Sequence, residues 1–147
     1  PVDKFLPSSV YSLCLDFIAE RATHLLSELG DGAVGQTFAE SRERREDALL
    51  QYEFVRLQLE GTRYLSPSGF RQQLSPTIEF RTKGDNLPGL QIADLAARPI
   101  AEWVKTRDRE IHRWSIFKPK LYDGGQGRPG SFGLKVFPSQ LADVDLL

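Results

Sequence analysis

Two carboxylates in this chain have the type and setting to do chemistry, Glu40 and Asp94. Asp94 lies in Gly89-Leu-Gln-Ile-Ala-Asp-Leu-Ala-Ala97, four residues after Leu90 and one after Ala93, so it projects from near the apolar face of a helix. A charged carboxylate there is costly unless it is paired or bound to a metal. Arg98, at i+4, offers the plainer explanation, a helix-surface ion pair worth about 0.2–0.5 kcal/mol. Glu40 stands at the carboxyl end of a short strand, on the same face as Val34 and Phe38. Open α/β sheets put ligand sites at that end. A helix follows, and acids favour helix N-termini, so the plainer role is open here too. If the two carboxylates converge, their hard oxygens suit Mg²⁺ or Mn²⁺. Such an ion activates water and stabilises a phosphoryl transition state.

Other chemistries are poorly served. His24 sits among leucines and His112 in a charged loop, without a Cys or His partner at zinc spacing. No serine lies in a nucleophile-elbow pattern, and the glycines between 124 and 133 lack the strand–loop–helix context of a phosphate loop. Cys14, between Leu13 and Leu15, reads as a buried core thiol, and as the single cysteine it excludes an internal disulfide. A basic stretch carries Lys105, Arg107, Arg109, Arg113, Lys118 and Lys120 against only Asp108 and Glu110, interleaved with His112, Trp114 and Phe117. Cations with flat aromatics suit a nucleic-acid backbone and stacked bases. A solvated face with its aromatics tucked into the core fits the same pattern somewhat better.

The elements that must position these groups alternate in kind. Val10, Leu13, Cys14, Phe17, Ile18, Leu25, Leu26 and Leu29 follow helical spacing, with Ser8 and Ser9 able to cap the helix and Gly30 and Gly32 to end it. That helix is expected to be buried on most of one side. Residues 33–39 read as a strand. A second helix reaches about Glu60 on Leu50, Phe54 and Leu57. Residues 61–75 are rich in turn formers and read as loop, with a helical turn around Phe70. Ile78 and Phe80 alternate with Glu79 and Arg81 in a half-buried strand. Pro88 suits the first turn of a third helix, which turns Leu90, Ala93, Ala97, Ile100, Ala101 and Val104 inward. Pro99 predicts a kink or break near Arg98. From about residue 107, and above all beyond Trp114, the chain reads as irregular and rich in glycine and proline, closing on a short strand over 133–138.

The order α-β-α-β-α points to an α/β fold, and 147 residues with 40% hydrophobic content fit one domain. A net charge of −1 argues against a protein that coats nucleic acid wholesale. No stretch approaches the roughly 18 apolar residues of a membrane span, and no signal-peptide pattern is present, so a soluble, cytoplasmic protein is expected. Two or three strands are few for so many helices, the first hint that part of the sheet is missing. An exposed sheet edge invites pairing with a second copy, so a homodimer across that edge is expected.

Gly89-Leu-Gln-Ile-Ala-Asp-Leu-Ala-Ala97, preceded by a strand and a Lys-Gly-Asp-Asn turn, resembles the family known as domain of unknown function 3800. Phe38-Ala-Glu-Ser-Arg42 looks like that family's acidic strand end, and Gly133-Leu-Lys-Val-Phe-Pro138, after Lys118-Pro-Lys-Leu121, like its C-terminal signature. The resemblance implies a ribonuclease-H-like fold in a bacterial or phage protein, with carboxylates from separated segments holding divalent metal at a nuclease-type site. Glu40 and Asp94 match two of the acidic positions, and Gln91 a polar neighbour. The family's opening strand, with its Asp-Glu-Ser-Gly type motif, has no counterpart here, so the expectation is a C-terminal fragment with a weakened site. The competing expectation is a non-catalytic interaction domain of a defence or mobile-element system.

Overall fold

The computed structural model describes residues 10–106 and 112–122. The chain forms two compact units, the first running through Asn86 and the second beginning at Leu87. The first contains α1 (Val10–Leu29), β1 (Gly35–Glu40), α2 (Arg44–Glu60), α3 (Pro67–Gln73) and β2 (Leu74–Arg81). The second contains α4 (Pro88–Thr106) and α5 (His112–Phe117). The architecture is mixed α/β, mostly helical, with a two-stranded parallel sheet among the described residues.

Parallel strands cannot be joined by a tight turn, and here α2 and α3 form the crossover. Thr37 pairs with Ile78 and Glu40 with Arg81, with a register irregularity between Gly35 and Thr37. The inner sheet face contributes Leu74 and Ile78 to a core with Phe54 and Leu57 of α2, Phe70 of α3 and Ala19 of α1. Gly35 lets β1 approach α1 closely, since a Cβ there would lie 2.8 Å from Leu26 Cδ1. Gly61 ends α2 at φ +74, where a Cβ would meet the Leu65 carbonyl at 2.5 Å.

Several sequence expectations need correction. The segment 61–75 is not mainly loop. Ser66 caps α3, its hydroxyl accepting from Gly69 N–H, and Pro67 takes the first turn, where its missing N–H costs nothing. In α1 the core-facing positions are Leu15, Ala19, Ala22 and Leu26, while Ile18, Leu25 and Leu29 are exposed. Cys14 is exposed too, because it lies on that outer arc and not on the core arc. In α4 the expected inward alanines Ala93, Ala97 and Ala101 are exposed. The buried residues are Pro99 and Trp103, the latter stacked on Trp114 at 4.1 Å between centroids and 11° between planes. The helix runs on through Pro99 as one element, with Pro99 on the face that carries Trp103. Trp114 and His112 belong to a helix, α5, where irregular chain was expected. The capping serines at 8 and 9 and the closing strand at 133–138 lie outside the described residues.

Candidate functional site

Glu40 is the last residue of β1, at the carboxyl end of a parallel strand pair. Strand alternation puts Gln36, Phe38 and Glu40 on the exposed outer face. Their neighbours on β2 are Glu79 and Arg81, joined by an ion pair of 2.6 Å, and the Arg81 guanidinium lies 6.0 Å from the Phe38 ring centre. The expected face for Glu40 is therefore the observed one. The alternative role of helix N-terminal acid falls instead to Glu46 and Asp47, in the first turn of α2.

The link from β1 to α2 is fixed by Asp47, whose carboxylate accepts from Ser41 Oγ at 2.6 Å and from the Arg42 amide at 3.2 Å. This turns α2 back so that a cleft of about 180 Å³ opens beside the strand end, lined by Tyr11, Ala39, Glu40, Arg42, Glu46, Asp47 and Leu50. Of these, only Glu40 stood out in the sequence as a site residue. The Glu-x-x-x-x-x-Glu-Asp spacing after the strand was a usable signal, because acids in the first turn of a following helix face back towards the strand end.

Asp94 and Gln91 both lie on α4, in the second unit, and both are exposed. The expectation that Asp94 projects from near the buried face is corrected, since that face is set by Pro99 and Trp103. Its expected partner is corrected as well: Arg98 bonds Glu102 at 3.0 Å, one turn further on. Among the described residues no three of His, Cys, Asp and Glu converge as a metal-binding group.

Of the basic stretch, Lys105 ends α4 and is exposed, as are Lys118 and Lys120 in a 3₁₀ turn after α5. Arg113 lies within α5, and Arg107 and Arg109 lie outside the described residues. Trp114 is 4% exposed and spent on Trp103, so it presents no free ring for a stacked base.

The strongest buried electrostatics went unnoticed in the sequence. α1 turns Asp16 and Glu20 inward along with Ser12 and Thr23. Arg56 of α2 bonds Asp16 at 2.7 Å and Glu53 at 2.8 Å, and Thr62 donates to Glu20 at 2.5 Å. Burial pushes the Asp16 carboxyl above the usual range against the pull of Arg56, and the charges of Glu20 and Glu53 add to the rise. Burial disfavours the Arg56 cation, but its bonds to Glu53 and Asp16 outweigh that and hold it above its ordinary value. The i, i+4 spacing of Ser12, Asp16 and Glu20 inside an apolar run was the available signal. Arg56 joins α1 to α2 through Asp16, and Thr62 ties Glu20 to the segment just after α2.

No helix among the described residues is long and apolar enough to cross a membrane. No family model matches the chain, and no curated protein or solved structure matches it either.

Proposed function

We propose that this chain belongs to a ribonuclease-H-like, divalent-metal-dependent phosphoryl-transfer domain of nuclease type, with Glu40 as a metal ligand. The observation that carries the reading is the position of Glu40: carboxyl end of a parallel strand, exposed face, at the rim of a cleft that also holds Glu46. The donor chemistry fits Mg²⁺ or Mn²⁺, because every acidic group at the cleft offers hard oxygen. The set is incomplete: Asp47 is engaged by Ser41 and Arg42, and no three acidic groups converge among the described residues. Further ligands are therefore required, and the resemblance nominates Asp94, with Gln91 beside it. When bound, the metal would supply an activated water and neutralise charge on a phosphodiester. What the chain's own residues contribute is a positioned carboxylate and, at Arg42, a cation at the cleft rim. Lys105, Lys118 and Lys120 would contact the backbone of a nucleic-acid strand.

Calorimetric titration of Mn²⁺ tests this. Binding is expected to be weak, and Glu40→Gln should weaken it at least about tenfold, as should Asp94→Asn. Heat of binding that neither substitution changes would remove Glu40 and Asp94 from the site.

A second reading, a non-catalytic interaction domain, is favoured by one observation. Large apolar side chains stand exposed on α1, on α2 and on the outer sheet face at Phe38, more than a finished surface needs. Absence of any Mn²⁺ binding would shift the assignment to it.

A further inference from the structure

Tyr11, in the first turn of α1, is 59% exposed and lines the cleft that Glu40 and Arg42 share. It makes no hydrogen bond or ring contact with another described residue, unlike Trp114, which is spent on Trp103. The Arg42 side chain is exposed, and only its backbone amide is engaged, by Asp47. Arg44 and Arg45 follow at the start of α2, both exposed, where the helix dipole disfavours cations and an anionic ligand would offset that cost.

Size narrows the ligand. At about 180 Å³ the cleft falls below the roughly 300–1,000 Å³ of pockets that enclose a drug-sized molecule. It has room for one unit of a longer molecule whose remainder runs on outside. That unit has to suit a flat aromatic face and a guanidinium. A nucleotide does: its base stacks on a tyrosine ring, and its phosphate takes both arms of an arginine. Glu40 and Glu46 would repel the phosphate, and a bound divalent ion reverses that local charge. Nucleotide binding in this form therefore rests on Glu40 holding a metal.

In a duplex the bases are already paired and stacked, so none offers its face to Tyr11 unless it is flipped out. We propose that Tyr11 stacks a base of a single-stranded nucleic acid while Arg42 holds an adjoining phosphate, setting the strand against Glu40. Tyr11 is then a positioning residue that selects single strands over duplex.

Fluorescence anisotropy on the full chain with Mn²⁺ tests this, using labelled oligothymidine, oligouridine and an abasic strand of equal length. Tyr11→Ala should weaken binding of the base-bearing strands about 5- to 150-fold. It should leave the abasic strand alone, because the phosphates there are intact. Tyr11→Phe should bind like the parent, since the ring and not the hydroxyl stacks. Arg42→Gln should weaken all three strands alike and lower the salt slope by about one phosphate contact. Tyr11 dependence with either base-bearing strand supports the proposal, and the tighter of the two shows which sugar the cleft takes. No oligonucleotide binding overturns it. So does a Tyr11→Ala loss that is absent, or that is equal on the abasic strand or on duplex. Failure of the metal reading shows separately, as Mn²⁺ titration without nucleic acid that Glu40→Gln does not change. Tyr11→Ala removes no metal donor and should leave that titration as it is.

Discussion

Arg56 shows how much can depend on a single side chain. It is the cation between two buried carboxylates, Asp16 and Glu53, each with 7% of its side chain exposed, while its own side chain is 17% exposed. Arg56→Met would leave both anions without a counter-charge, and breaking a buried pair from one side costs about 3–5 kcal/mol. Urea denaturation should show that loss, and a change within about 0.5 kcal/mol would mean that the cluster is solvated in solution. Asp16 gives a pH dependence with a definite sign. Burial raises its pKa in the folded state, so the folded chain holds that proton more tightly than the unfolded one. Its contribution to stability falls as pH rises from the unfolded value, about 3.9, through the raised folded value. Asp16→Asn should remove that fall, which begins above the unfolded value of about 3.9. A variant curve parallel to the parent's would sink the assignment. The spacing of Ser12, Asp16 and Glu20 was there to be read, but their pairing was not, because Arg56 lies forty positions from Asp16 and only folding introduces them.

At the scale of elements the sequence was readable where a segment's own chemistry decides it. The ends of α1 at Leu29 and of α2 at Glu60, and the start of α4 at Pro88, stand where caps, glycines and apolar spacing put them. Expectation failed where a distant partner decides. The alanine row of α4 looked like the inward face, yet the side buried is the one whose Trp103 finds Trp114. α3 was expected only as a helical turn around Phe70 for another reason: Ser-Pro-Ser-Gly reads equally as a turn and as a helix start, and the choice is made by Phe70. That ring is 1% exposed in the core between α1, α2 and β2. Phe70→Ala should cost about 3–5 kcal/mol, measured by chemical denaturation. A cost below about 1 kcal/mol would show that the core collapses around the gap or that α3 does not anchor there.

For the whole molecule, the two units offer separate optical handles. Both tryptophans lie in the second unit, while the sheet and three of the helices lie in the first. Tryptophan fluorescence thus follows the second unit, and far-UV circular dichroism weights the first. Arg56→Met should lower the thermal transition seen by dichroism more than the one seen by fluorescence. Identical shifts in both would mean one cooperative transition. The α/β class was legible at this scale, from the alternation of periods along the chain. The division after Asn86 was not: the turn there looked like any other link between a strand and a helix.

The parallel pairing of β1 with β2 also sets a timetable for synthesis. Every pairing partner of β1 lies about forty positions further along the chain. At roughly 5–20 residues per second, a nascent β1 waits about 2–8 seconds for the strand that completes its hydrogen bonds. Through that interval Val34 and Phe38, both exposed even in the finished fold, are open to any chaperone or neighbouring nascent chain. Slower translation between codons 41 and 73 would lengthen that exposure, whereas a slow stretch beyond codon 81 would give the sheet time to close.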